Sequence, residues 1–291
     1  MLTEQQLSFY RENGYVVAPD ILTPDEVRTL REATEGFIEQ SRKIAVSDDV
    51  FDVEPNHTAE QPRLRRLMKP ADRHPAYAAT LKNPRLLAIL QQVLGPDVRL
   101  HGLKLNLKPG RGGEPIEWHQ DWAYFPHTNN DVAVIAMMIN DVDLENGPTL
   151  VVPGSHKGPI LDHHQDGFFA GAVTDPAAEK VFAKAVPMTG KAGSISIHHA
   201  RTLHASATNN SDRYRPLLFI TARAADAWPL VEKVEDINAF NKLMMTGQPT
   251  LVPRMEDVPV RLPFPRVLGP QDSIFEKQRG LRNSPFQRAM A

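Results

Sequence analysis

The tightest constraint on the fold comes from one stretch, "VRLHGLKLNLKP", residues 98–109. Leu103, Leu105 and Leu107 alternate with Lys104, Asn106 and Lys108. A period of two puts the leucines on one face of a strand and the polar residues on the other. More short apolar runs follow, "VAVIAMMIND", "TLVVPG", "AGSISIHH" and "RPLLFITARA", each bounded by Gly, Pro or Asn. The first is apolar throughout, so it reads as a strand buried on both faces. Short strands at such intervals predict a sandwich or jelly roll over residues 98–225.

Ahead of this lies a helical layer. "TEQQ" at Thr3 and "TPDE" at Thr23 are capping boxes, the second with Pro24 at the first helical position. They predict helices over 3–13 and 24–42, with "GYVVAPDIL" extended between them. Residues 45–75 show little periodicity and several prolines, which predicts loop. "HPAYAATLKNPRLLAILQQVLG" predicts one or two helices closed by Gly95 and Pro96. Beyond 226 the chain is rich in proline and charge and is expected to wrap the surface or form a lid. The expectation is one unit of 291 residues: a helical layer over 1–97, a β core over 98–225 and a wrap over 226–291.

With 33 basic and 35 acidic residues, there is no basic field to draw nucleic acid or an anionic membrane. No apolar run reaches membrane-spanning length, and the first residues carry no secretory pattern. A cytoplasmic monomer or homodimer acting on a small molecule is expected. Cysteine is absent, so thiolate metal sites, iron–sulfur clusters and cysteine nucleophiles are excluded. Any metal must be held by imidazole or oxygen ligands, which suit Fe(II), Mn(II), Zn(II) or Mg(II).

The candidate ligands begin in "EWHQDWAYFPHTNND", which gathers four aromatic rings in a chain only 7% aromatic. His119 and Asp121 stand two apart and share a face if the backbone is extended. Taken alone, the pair reads first as a surface pair. A third candidate, His204, follows the β run "GSISIHH". Two histidines and one carboxylate on one face of an octahedral ion form the facial triad of non-haem Fe(II) oxygenases. A co-substrate such as 2-oxoglutarate would need a cation for its distal carboxylate, best a planar guanidinium. Arg215 stands eleven residues past His204, and the Ser206 hydroxyl lies between them.

These motifs resemble the phytanoyl-CoA dioxygenase family. "HQD" and the later "HASATNNSDRYR" carry the resemblance, with "ENGPTLVVPGSHKG" between them and "FYRENGYVV…LTPDEV" at the start. The resemblance implies a double-stranded β-helix of the cupin-like, jelly-roll kind. It implies an Fe(II)- and 2-oxoglutarate-dependent dioxygenase using O2 and releasing succinate and CO2. By matching position, His119, Asp121 and His204 would bind iron, and Arg215 and Ser206 the co-substrate. Related halogenases carry a small residue in place of the carboxylate ligand. This chain keeps Asp121, which disfavours halogenation and favours hydroxylation or another oxidative C–H chemistry. Another metal enzyme on such a barrel, an isomerase or hydrolase, and a non-catalytic binding relative remain alternatives.

The remaining side chains divide more evenly. Asn106 and Lys104 either face solvent or point into the barrel toward the co-substrate, Asn106 being the cheaper to bury. Trp122, Tyr124 and Phe125 read as wall packing or as an apolar pocket for substrate. Arg223 reads as a salt-bridging residue or a contact for an acidic substrate. His163 and His164 are expected in a solvent loop, and His127 in another. His198 and His199 are expected to be satisfied core histidines. Arg63, Arg65 and Arg66 are expected to form a solvated basic face.

Overall fold

The structure is a computed structural model that describes residues 1–261, 274–282 and 284–288. Helix α1 (Glu4–Asn13) leads into strand β1 (Tyr15–Ala18) and helix α2 (Pro24–Ser41). Both helices start on reciprocal capping boxes, Thr3 with Gln6 and Thr23 with Glu26. Losing either threonine hydroxyl would cost about 1 kcal/mol. Then come β2 (Phe51–Val53), β3 (Leu64–Leu67), α3 (Pro70–Arg73), α4 (Pro75–Thr80) and α5 (Pro84–Leu94). The two capping boxes and the stop at Gly95, which has φ +94°, lie where the sequence placed them.

The β core follows with β4 (Val98–Lys108), β5 (Ile116–His119), β6 (Val132–Met138) and β7 (Thr149–Val151). A small hairpin, β8 (His164–Gln165) and β9 (Phe168–Phe169), precedes α6 (Glu179–Phe182) and β10 (Val186–Met188). The core ends with β11 (Ile195–His199), β12 (His204–Ser206) and β13 (Arg215–Ala224). Helix α7 (Ile237–Asn241), β14 (Met244–Thr246), α8 (Ile274–Gln278) and α9 (Pro285–Arg288) complete the described chain.

Two antiparallel sheets face each other as a jelly roll. The larger runs β1-β11-β6-β13-β4-β3-β2, with β14 beside β4, and the smaller runs β10-β7-β12-β5. Leu105, Leu107, Ile135 and Ile220 of the larger sheet pack in one apolar cluster with Leu30, Phe37, Leu86 and Leu90 of the helices. Every residue of β6 is buried, as its unbroken apolar run requires. Leucines that face the helices leave Lys104, Asn106 and Lys108 facing the space between the sheets, where all three line a cavity. Asn106 and Lys108 point inward, whereas Lys104 lines the cavity while remaining exposed.

Residues 45–75 are not all loop. Strands β2 and β3 extend the larger sheet beside β4, and Arg66 pairs in register with Asn106. Their three and four residues are too few to show a period of two. Nor do the neighbouring arginines form a solvated face: Arg63 and Arg65 are buried. Arg63 donates to Glu54 at 2.5 Å. Arg65 reaches Asp52 at 2.9 Å, Glu114 at 2.9 Å and Glu276 at 2.6 Å. Removing one partner of such a buried network costs about 3–5 kcal/mol. The network ties α8 to the edge of the larger sheet.

Candidate active site

The smaller sheet brings the distant ligand candidates together. In the β12–β5 ladder His204 stands opposite His119, with the ring centroids 4.1 Å apart. Asp121 is not on the strand. It opens a 3-10 turn, Asp121–Ala123, just after β5 ends. The turn still carries the carboxylate to the histidines, and one ligand atom from each of His119, Asp121 and His204 lies within 4.8 Å of the others.

Tautomers separate ligands from ordinary buried histidines here. His119 Nδ1 donates to the Glu117 carbonyl at 2.8 Å, and His204 Nδ1 to that of Thr202 at 2.9 Å. Each leaves a bare Nε2 lone pair, the arrangement that orients metal-ligating imidazoles. His127 and His163 are locked the same way, on Phe125 and Leu161. Their Nε2 atoms, however, accept from Arg223 at 2.5 Å and from the Gln120 amide at 2.9 Å. Both are buried, against the expectation of solvent loops, because each satisfies both ring nitrogens within the protein.

The charge state suits a metal. Burial alone would raise the Asp121 carboxyl, but His204, His198 and His119 outweigh it and hold it well below the usual range. Desolvation lowers both His119 and His204. We take the resting state as neutral imidazoles beside an ionised carboxylate, which is the form a divalent cation requires.

Arg215 opens β13 in register with Lys108 on β4. Its guanidinium is buried and its Nε has no hydrogen-bond partner. No carboxylate among the described residues lies within ion-pair distance, and burial pushes Arg215 down to about 9. A buried cation without a counter-ion is costly, and an anion brought from outside would offset that cost. Beside it Lys108 Nζ donates to Ser206 Oγ at 2.8 Å and to the Ala207 carbonyl. Lys108 was not singled out in the sequence. Its place in the Lys104–Asn106–Lys108 row was the available signal, and its burial, the reverse of a lysine's habit, hid its role.

A cavity of about 320 Å³ joins the triad to Arg215. Lys104, Asn106, Ser206, Tyr124 and Phe125 line it. Trp122 and Arg223 do not. Trp122 is buried and donates from Nε1 to the Pro259 carbonyl at 2.8 Å. Arg223 donates from one guanidinium nitrogen to His127 and lies over the Phe240 ring at 5.0 Å. Both residues therefore support the wall from behind.

A family model described as phytanoyl-CoA dioxygenase matches residues 10–217, which include all three ligand candidates and Arg215. The chain belongs to the phytanoyl-CoA dioxygenase family. Membership makes it an Fe(II)- and 2-oxoglutarate-dependent dioxygenase. One relative of this dioxygenase is named a probable alpha-ketoglutarate-dependent hypophosphite dioxygenase, from Stutzerimonas stutzeri. The two are 33% identical over 287 residues, 97% of this chain and 98% of the relative. L-proline trans-4-hydroxylase of Streptomyces griseoviridis is 29% identical over 73% of this chain and 83% of its own. Among solved structures, the epimerase SnoN in complex with Fe3+, alpha ketoglutarate and nogalamycin RO is 26% identical. It aligns with a TM-score of 0.63 over 87% of this dioxygenase and 96% of that chain. EctD from S. alaskensis with bound Fe, at 24% identity and a TM-score of 0.66 over 88% and 87%, shares the fold.

Proposed function

We propose that this dioxygenase binds Fe(II) through His119, Asp121 and His204 and hydroxylates a small anionic substrate. In this reading Arg215, with Lys108 and Ser206 beside it, holds the distal carboxylate of 2-oxoglutarate. The observation that carries it is the buried Arg215 guanidinium, without a counter-ion, in the same cavity as the triad. An isomerase or hydrolase on such a barrel would have no use for it. When bound, iron and 2-oxoglutarate supply a two-electron oxidation by O2 that releases succinate and CO2. The protein's work is to place the substrate carbon or heteroatom, exclude water and keep the ligands in their tautomers.

Size and charge support a small anion. The cavity is at the lower end of ligand sites and must also admit the co-substrate. Within its lining Arg215 has no acidic partner among the described residues, whereas Arg65 is already matched by Asp52, Glu114 and Glu276. A bound ferrous ion would offset Asp121. The name of the Stutzerimonas stutzeri relative agrees, hypophosphite being a small oxyanion. The test is a panel of small acids and oxyanions assayed for stimulated succinate release. Stimulation by anions is expected. Stimulation confined to neutral or cationic compounds would overturn the substrate class, and failure to bind 2-oxoglutarate would overturn the whole reading.

A pH dependence follows from Lys108. Desolvation, with Arg215 adding to it, holds its ammonium well below the ordinary lysine range. A carboxylate arriving on Arg215 favours the charged form and raises that value, so binding takes up a proton between the two values. The affinity for 2-oxoglutarate therefore falls as pH rises through that window. Calorimetry in buffers of different ionisation enthalpy should register the uptake, and Lys108→Met should abolish it.

A further inference from the structure

One buried histidine at the centre has no place in the ligand set, and its chemistry is the reverse of the ligands'. His198 lies on β11, paired with Tyr15 of β1 on one side and Val134 of β6 on the other. It belongs to the larger sheet, yet its ring reaches the turn that follows β5 of the smaller one. Nε2 stands 3.2 Å from Asp121 Oδ2, and the ring centroid is 4.4 Å from that of His204. The side chain is 1% exposed, so water does not compete for the contact.

An ionised carboxylate only accepts hydrogen bonds, so His198 Nε2 carries the proton. Its Nδ1 is buried with no hydrogen-bond partner, whereas His119, His204, His127 and His163 all donate from Nδ1. His198 therefore presents an N–H to the centre where His119 and His204 present lone pairs. The expectation of a satisfied core histidine fails on this point.

We propose that His198 is a positioning residue of the metal centre, its Nε2–H fixing the plane of the Asp121 carboxylate so that Asp121 ligates through one oxygen. An N–H aimed at one oxygen disfavours chelation by both, and one-oxygen ligation keeps three octahedral positions open for co-substrate and oxygen. Asp121 needs this more than a strand residue would, since it sits on a short turn outside the ladder that holds His119 and His204. The proposal rests on the metal-site reading above.

The test is anaerobic calorimetry with Fe(II) alone, together with the visible spectrum of the Co(II)-loaded protein. His198→Phe fills the volume without a donor. It should bind Fe(II) about 10–100-fold more weakly, the usual cost of losing a group that orients a ligand. Its Co(II) spectrum should shift. His198→Gln, whose amide can reach the Nε2 position, should recover most of the affinity and the wild-type spectrum, and the shorter His198→Asn should not. A folded Phe or Asn variant with wild-type affinity and spectrum would overturn the positioning role and leave the site standing. Wild-type protein that binds neither metal would overturn the site itself.

Discussion

Asp121→Ala is expected to bind Fe(II) more than about a hundredfold more weakly than the wild-type protein and to release no measurable succinate. A first ligand should cost more than the 10–100-fold lost with its supporting groups. His204→Ala should do the same from the opposite strand, since His204 is the ligand that crosses the β12–β5 ladder to meet the pair. Neither change should unfold the protein. Burial lowers His119 and His204 and so favours their neutral forms, so removing the carboxylate strands no positive charge on either ligand candidate. Metal analysis after anaerobic loading, succinate assay and thermal melting together check this. Full iron content in Asp121→Ala would refute the ligand assignment, whatever the activity.

Arg215→Met is the second large effect, and it should act on the co-substrate alone. Two charge-assisted hydrogen bonds from a buried guanidinium are worth about 3–4 kcal/mol. Their loss should raise the 2-oxoglutarate KM by roughly 10²–10³. Arg215→Lys should fall between, keeping the charge and losing the planar fork. Iron affinity in the absence of co-substrate should stay near wild type in both variants, because Arg215 touches none of the three ligands. Unchanged KM in Arg215→Met would place the co-substrate elsewhere. The variant should be no less stable than wild type, since it removes a buried cation that has no counter-ion among the described residues.

Much of this architecture was legible from residue spacing, and for local reasons. Capping boxes act over three residues, and Thr3 and Thr23 start the helices where those rules place them. Leu103, Leu105 and Leu107 specify which face of β4 meets the helices, and so put Lys104, Asn106 and Lys108 on the cavity side. What escaped was set by distant partners. Arg65 reads as a surface residue until Asp52, Glu114 and Glu276 close around it from three parts of the chain. His127 and His163 read as loop residues until an arginine and a main-chain amide occupy their second nitrogens. His198 and His119 cannot be told apart as letters. Only the partner of each ring nitrogen makes one a donor and the other a ligand.

The strand that opened the sequence also contains a break. Pairing between β4 and β13 slips so that Thr221 faces Gly102 and Ala222 faces Leu100, leaving His101 unmatched. Val98 and Leu100 nevertheless join the same apolar cluster as Leu103, Leu105 and Leu107, because one surplus residue resets the parity. Insertions and deletions should therefore fare very differently along this one edge. Loss of His101 would straighten the strand and leave every leucine where it was. The same loss anywhere in residues 103–108 would turn the strand's inner row outward and bury leucine where the cations now stand.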